Sequence, residues 1–293
     1  MNRNFLAIFG LLFGALAWGV IWYPYRLMAE AGVSGVASSF YTYLIATVIG
    51  AAVFGKYWRG FFAQPSSIIW LGLAAGWANM SYVIAVIDGE VMRIMLLFYL
   101  SPLWTLLLAR FWLKEPITKV GLISISIALA GAYIMLAGPF SQIKNHWPIP
   151  QNTAEWLALT SGMAFAVANV ITRKSIHLTI RAKSFAVWLG VMGAALIISP
   201  FVGDSFPAPS FFSVNNWLAM GLIAIFLMAA TILVQFGVTQ LTAIRSSVLF
   251  LFELVVAAFA SYYLAHEVMS MNEWIGGGLI ISAALIAAFN HKD

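Results

Sequence analysis

The sequence contains no cysteine, and few of its 293 residues are charged. Without cysteine the chain can form neither a disulfide framework nor a thiol-based redox or metal site. Charged residues make up 9% of the chain, against about 25% in a soluble domain. Hydrophobic residues make up 62%, and the mean hydropathy is +0.93. This balance excludes a soluble globular protein and predicts an integral membrane protein embedded in a lipid bilayer.

Motifs for several other kinds of chemistry are also missing. The chain has no Walker A sequence, no His, Cys and Asp spacing that fits a metal site, and no Ser–His or paired-carboxylate site within its apolar runs. We therefore expect no cofactor, no metal and no nucleotide hydrolysis. The net charge is +5, but the basic residues sort by membrane side, so we expect no nucleic-acid partner. A membrane-embedded enzyme is the alternative from another class.

Ten apolar runs are long enough to cross a bilayer as helices, and none shows the alternation of a β-barrel. The longest connection, residues 139–153, is rich in proline and separates five runs from five. We predict a first repeat over residues 1–138, a periplasmic connection over 139–153 and a second repeat over 154–293. The predicted spans are 5–23, 36–55, 68–87, 93–112, 120–137, 154–171, 184–202, 217–239, 246–265 and 274–289.

Residues 93–118 and 245–270 align without a gap and indicate an internal repeat. Four positions are identical: Arg93 and Arg245, Leu97 and Leu249, Phe98 and Phe250, Glu115 and Glu267. Because each half has an odd number of spans, the two repeats would cross the membrane in opposite directions, as in many secondary transporters. We place Glu115 and Glu267 at the inner interface, where they would fix loops or gate closure.

Lysine and arginine predict the orientation. With the N-terminus inside, 11 basic residues fall in inner segments and 4 in outer ones, namely Arg26, Arg93, Lys144 and Arg245. Inner loops of membrane proteins carry the excess of Lys and Arg. Both termini are therefore predicted to be cytoplasmic.

Polar and aromatic side chains concentrate on spans one, three, four, six, eight and nine. Such groups are costly in lipid, so we expect them to face a cavity. Hydrogen bonds between helices are the alternative for the amides, and an interfacial aromatic belt is the alternative for Trp22. The predicted substrate-binding residues are Trp18, Trp22, Asn79, Tyr82, Tyr99, Ser101, Asn169, Gln235 and Glu253.

Glu253 is the only acidic residue near the middle of a span. We expect it to face the cavity and either to meet a substrate ammonium or to carry a proton; a buried carboxyl held by a neighbouring helix is the alternative. Pro102 lacks an N–H and can kink its helix, so it is a predicted hinge, with a static kink as the alternative. The motifs Gly10-x-x-x-Gly14 and Gly72-x-x-x-Gly76 predict close helix packing.

One set of residues resembles the drug/metabolite transporter superfamily, ten-helix EamA type: Leu100-Ser101-Pro102, Glu115 with Thr118 and Gly121, then Glu267, Ser270 and Trp274-Ile275-Gly276. The chain is most similar to the branch of bacterial aromatic amino acid exporters. It departs at Leu254, which stands opposite Pro102 where members often have a second proline.

The resemblance implies an all-α integral membrane fold of ten helices in two inverted five-helix repeats. Spans one to four and six to nine would line a cavity, with five and ten peripheral. It further implies a secondary transporter of the bacterial inner membrane, monomeric or weakly dimeric. This protein would export aromatic and other neutral amino acids and related metabolites by alternating access. A carrier of other metabolites or drugs is the alternative.

Overall fold

The computed structural model describes residues 3–55, 61, 64–89, 91–136, 150–203, 206–264, 266 and 268–289. Within these ranges all regular structure is helical, without a strand. Nine of the helical segments there have the length and hydropathy of membrane spans, and a tenth apolar helix, Lys119–Met135, is shorter. The prediction of an all-α membrane protein with ten spans is confirmed.

Eight of the ten spans contain one α-helix, and two contain a pair. The single helices are spans one, two, three, five, six, seven, eight and ten: Arg3–Glu30, Gly35–Phe54, Pro65–Asp88, Lys119–Leu136, Thr153–Lys174, Ile180–Ile198, Val214–Gln240 and Met271–Phe289. Span four consists of Val91–Phe98, Ser101–Leu108 and a π-helical turn, Ala109–Leu113. Span nine consists of Ala243–Phe250 and Phe252–Leu264.

Polar residues just before the spans set where several helices begin. Asn152 accepts a hydrogen bond from the Glu155 N–H at 2.9 Å, and the Glu155 carboxylate accepts one from the Gln151 N–H at 2.8 Å. Thr179 caps span seven in the same way, by accepting from the Ala182 N–H. These side chains satisfy N–H groups that have no partner inside the helix, which fixes the start of the span.

The packing of the spans shows an exchange symmetry between the halves. Span one packs on spans eight and nine, and span six on spans three and four; span three packs on seven, and span eight on two. Spans two and seven contact each other, as do five and ten. Replacing each span by the one five places further along reproduces the same pairs, as expected of two repeats. The boundaries at residues 138 and 153 stay a prediction.

Glycines allow helix backbones of the two halves to touch. A Cβ atom at Gly190 in span seven would lie 2.1 Å from the carbonyl oxygen of Gly72 in span three. A Cβ atom at Gly131 in span five would lie 2.7 Å from the carbonyl oxygen of Gly276 in span ten. Only glycine permits these approaches, so the predicted packing role of Gly72 is confirmed.

Spans four and nine are interrupted at equivalent points. Regular helix ends at Phe98 in span four and at Phe250 in span nine, and these two residues align in the repeat. Pro102 is the second residue of the helix that follows in span four, whereas Leu254 stands at the equivalent place in span nine. The interruption therefore does not require a proline. The hinge role of Pro102 stays a prediction.

Arg245 lies at the end of the bundle opposite to the one predicted. Span nine begins at Ala243, whose N–H donates to Oε2 of Glu115 at 3.0 Å, and Oε1 of Glu115 pairs with Nε of Arg173 at 3.0 Å. We call this side of the bundle the Glu115 end. Moving Arg245 to it changes the predicted distribution of basic residues from 11 against 4 to 12 against 3.

Arg93 and Arg245 are equivalent positions of the repeat, and equivalent positions of inverted repeats lie on opposite sides of the membrane, so the two arginines cannot share the outer side. His266 follows span nine, which ends at Leu264, so it lies at the end opposite to Glu115. The equivalent position of Glu115 in the second half is therefore not at the same interface. Glu267 itself, and most of the connection 139–153, lie outside the described residues.

Candidate functional site

A cavity of about 130 Å³ lies where the two halves meet. Spans one to four and six to nine all contribute side chains to its wall, and spans five and ten contribute none. This is the arrangement that the family resemblance implied. Six of the predicted substrate-binding residues line it: Trp18, Asn79, Tyr82, Asn169, Gln235 and Glu253.

Hydrogen-bond acceptors gather at Glu253. It is the one acidic residue in the described wall, and no lysine or arginine lines that wall. The Tyr99 hydroxyl donates a hydrogen bond to the Glu253 carboxylate. Oδ1 of Asn79, on span three, is buried without a hydrogen-bond partner in the described part of the chain. A carboxylate and an unpaired amide oxygen in one cavity provide acceptors for a ligand that carries N–H donors.

Hydrogen-bond donors gather at Gln235. Its Oε1 accepts a hydrogen bond from the Thr172 hydroxyl at 2.9 Å. With the amide oxygen held in this way, the Nε2 amino group is left for the cavity, and it offers two N–H donors. Asn169, one helical turn from Thr172 on span six, lines the same part of the wall. The cavity therefore contains acceptors and donors on different spans.

Aromatic rings form a continuous part of the wall. The ring of Tyr82 lies 4.8 Å from that of Phe98, Phe98 lies 5.7 Å from Phe165, and Phe165 lies 5.2 Å from Phe250, measured between centroids. Such spacings are typical of favourable tilted and edge contacts. The wall can therefore hold a flat apolar group of a ligand.

Three predicted residues lie outside the cavity. Tyr99 follows Phe98, is buried in a hydrophobic cluster that also contains Ile125 of span five, and reaches Glu253 through its hydroxyl. Ser101 is buried in the packed interior. Trp22 is one turn beyond Trp18, about 6 Å further along span one, and its ring contacts Tyr23. The described wall of the cavity does not include these three residues, and their substrate-binding role stays a prediction.

A polar network joins spans four, six, seven, eight and nine at the Glu115 end. The Arg173 guanidinium pairs with Glu115 and donates to the backbone oxygen of Thr239 at 2.7 Å. The Lys183 ammonium donates to the backbone oxygen of Thr172 at 2.7 Å and to Oγ1 of Thr239 at 2.8 Å. The predicted role of Glu115 in closure fits this network, which ties the span ends together beneath Gln235. We call it the Glu115 network.

Two further cavities are less suited to recognise a solute. One, of about 170 Å³, lies at the Glu115 end between spans five, nine and ten. The other, of about 440 Å³, lies between spans three and seven and is lined by apolar side chains and glycines. Among the described residues, the first is lined by Glu115 and Arg245 but by no aromatic ring, and it involves none of spans one, two, three, six, seven and eight. The second has no charged side chain in its described wall. The cavity at Glu253 is therefore the candidate site.

Sequence reasoning missed several residues of the site. Phe165 has no equivalent in the aligned stretches and looked like an ordinary apolar residue. Tyr43, which also lines the wall, lies in a span whose polar residues were not singled out. Lys183 was counted only as a loop charge, although its side chain is completely buried. In the sequence Lys183 directly precedes the apolar run that begins at Ser184 and follows Arg181 closely, so no signal distinguished it from a loop charge.

In the described part of the chain, ten apolar helices form two interlocked halves with a polar and aromatic cavity between them, which is an architecture suited to a multi-pass transporter of small molecules. The chain belongs to the EamA-like transporter family, whose model matches residues 5–137 and again residues 152–289. The family thus recognises both halves of the chain as copies of one unit, as the internal repeat predicted.

Two other proteins are similar to this chain. An uncharacterised transporter of Archaeoglobus fulgidus is 24% identical over 214 residues, which cover 71% of this chain and 70% of that protein. A crystal structure of another protein superposes with a TM-score of 0.76, covers 96% of each chain and is 17% identical. At this identity the second comparison shows the fold alone.

Proposed function

We propose that the chain is a secondary transporter of the bacterial inner membrane that exports amino acids, aromatic and other neutral ones, by alternating access. The observation that carries the proposal is the cavity itself. It combines the Glu253 carboxylate, a free acceptor on Asn79 and a wall of aromatic rings. An ammonium group with an apolar or aromatic substituent matches this combination.

The size of the cavity favours an amino acid over a larger drug. Pockets for drug-sized ligands have volumes of about 300–1,000 Å³, whereas this cavity has a volume of about 130 Å³. The carrier of other metabolites or drugs therefore becomes the second candidate, and small metabolites fit it better than drugs.

Export is proposed from the resemblance to the exporter branch, and the orientation then says which end of the bundle faces the cell. The distribution of 12 basic residues against 3 supports a cytoplasmic position for the Glu115 end. The Glu115 network then closes the cytoplasmic side, and its opening admits substrate from the cell. The orientation is tested with a reporter fused after Asp293. Activity of a periplasmic reporter there would reverse the orientation, so that the Glu115 end would face outward.

Transport by purified protein in liposomes tests the substrate class. We expect labelled aromatic and neutral amino acids to cross the membrane unchanged, and ATP to be unnecessary. Movement of other metabolites without any amino acid would support the second candidate. Chemical conversion of the label would show an enzyme and contradict the proposal.

A further inference from the structure

Lys183 has an unusual position for a lysine in an apolar helix. It stands in the first turn of span seven, and none of its surface is exposed. Its ammonium group donates to two neutral oxygens, those of Thr172 and Thr239. The ion pairs between described residues join Arg26 to Glu30 and Arg173 to Glu115, and neither includes Lys183. A buried cation without an anion is costly, so a function is a reasonable explanation of its presence.

The same two threonines hold Gln235 at the wall of the cavity. The Thr172 hydroxyl donates to Oε1 of Gln235 at 2.9 Å, and the Thr239 hydroxyl donates to the Gln235 backbone oxygen at 2.6 Å. One intervening residue therefore separates Lys183 from Gln235 along either route. The positive charge of Lys183 therefore lies directly behind Gln235, whose amino group is left for the cavity.

The cavity consequently has two ends of opposite hydrogen-bonding character, a donor pole at Gln235 and an acceptor pole at Glu253. Gln235 lies five residues before the end of span eight, about 8 Å from the Glu115 end, and Glu253 lies ten residues into span nine, about 15 Å from it. The donor pole and the acceptor pole are thus separated by about 7 Å in depth. This is a separation in depth between backbone positions, and it puts the two groups at different levels of the cavity, where the two ends of one small zwitterion can each form a hydrogen bond.

We propose that Gln235, positioned by Thr172 and backed by the charge of Lys183, binds the carboxylate of the substrate, so that the protein selects zwitterions over amines of the same shape. The inference rests on the proposed function and adds that the donor pole at Gln235 recognises the substrate carboxylate. Gln235 touches the substrate. Thr172 and Lys183 act through it and are positioning residues. The substrate lies with its carboxylate towards the Glu115 end and its ammonium towards Glu253.

Three probes separate the poles: an aromatic amino acid, the amine that lacks its carboxylate, and the acid that lacks its ammonium. Each is tested for thermal stabilisation of the purified full chain and for competition with transport in liposomes. The wild-type protein should bind the amino acid about tenfold or more tightly than the amine, because a site built for a polar group rejects an analogue without it.

Gln235→Glu keeps the shape and replaces donors by an acceptor. We expect it to lower the preference for the amino acid over the amine by about tenfold or more. Thr172→Val removes the hydroxyl that orients Gln235 and should lower the same preference without introducing a charge. Lys183→Met should act in the same direction, and Lys183→Arg should restore part of the preference.

The matched control is Thr47→Val in span two. Thr47 is also a buried threonine, but its hydroxyl donates to the backbone of its own helix, at Tyr43, and it does not line the cavity. Its preference ratio should equal that of the wild type. If Gln235→Glu and Thr172→Val bind all three probes with the wild-type preference, recognition of the carboxylate at the donor pole is refuted, even if amino acids are transported.

Failure of the proposed function gives a different result. In that case the wild-type protein is stabilised by none of the three probes, while another solute crosses the membrane, and both proposals are overturned. Binding of the acid without binding of the amino acid would overturn the amino-acid function but support recognition of a carboxylate at the donor pole.

Discussion

The rings of Phe98 and Phe250 contact the same third ring, that of Phe165, at centroid distances of 5.7 and 5.2 Å. Phe98 belongs to the first half and Phe250 to the second, and they are equivalent positions of the repeat. Both lie at the point where their span is interrupted. The two copies of the repeat thus supply the same residue to opposite sides of one aromatic wall.

Truncation of these rings should weaken aromatic substrates selectively. In Phe98→Ala and Phe250→Ala, affinity for aromatic amino acids should fall about tenfold, because a ring-to-ring contact and buried area are lost together. Affinity for small neutral amino acids should change less. Competition assays in liposomes measure both.

Phe201→Ala is the control for that comparison, because Phe201 is 85% exposed and lies after span seven, away from the cavity. Equal losses for aromatic and aliphatic substrates would show that the rings only support the fold.

The alignment of the repeat pairs Phe98 with Phe250 but does not show that both rings form one aromatic wall. Phe98 and Phe250 were identical in the two stretches, and the identity was taken as a sign of duplication alone. Their contact with Phe165 depends on how span six packs between spans four and nine, which residue spacing within one span does not reveal. The ten spans were predictable because a 20-residue apolar run has few alternatives in a membrane.

The Glu115 network was less accessible to sequence reasoning for the same physical reason. Its members come from five spans and meet only after the bundle forms. Arg173 and Lys183 were counted as charges of one membrane side, and that count could not tell an exposed loop charge from a buried one. The side predicted for Arg245 was wrong because it did not follow the inverted repeat, which puts equivalent positions such as Arg93 and Arg245 on opposite sides of the membrane.

Glu253→Gln should lower the affinity for amino acids at every pH tested. The substitution keeps the shape of the side chain and removes the charge, and a hydrogen bond to a charged group is worth about 1.5–3 kcal/mol, or roughly 10- to 100-fold in affinity. The acid that lacks an ammonium should bind as before.

Glu30→Gln is the control for the charge, because Glu30 lies at an exposed span end, paired with Arg26. If Glu253→Gln instead binds substrate normally but transports it without pH dependence, Glu253 carries a proton rather than an ammonium partner. Wild-type transport at all pH values would leave Glu253 a purely structural group.

Loss of the ion pair at the Glu115 end should open that side. Arg173→Gln removes the bonds to Glu115 and to the Thr239 backbone, so the span ends separate more easily. Because the chain has no cysteine, a single Ala168→Cys in the cavity wall reports access. Its labelling from the cytoplasmic side should become several-fold faster in the Arg173→Gln background.

Lys119→Gln removes an exposed positive charge at the same end and should leave labelling unchanged. Unaltered labelling in Arg173→Gln would mean that the network does not control access.

The glycine crossing of spans three and seven should tolerate no added side chain. In Gly190→Ala the new Cβ would lie 2.1 Å from the Gly72 oxygen, so the helices must move apart. We expect a loss of about 1–3 kcal/mol in stability, as for overpacked interiors. Thermal unfolding in detergent measures it.

Gly193→Ala is one turn further along the same helix and meets open space within 4 Å. It should unfold at the wild-type temperature. A similar loss in both variants would assign the effect to helix propensity or insertion rather than to the crossing.

The pairing of spans five and ten separates assembly from recognition. These two helices come from different halves and touch backbone to backbone at Gly131 and Gly276, yet neither reaches the cavity. Substitutions in the eight cavity spans can therefore change which solute is accepted, while the contact between spans five and ten keeps the halves joined. In a scaffold divided in this way, the transported solute can change during evolution while the helix packing that joins the halves is retained.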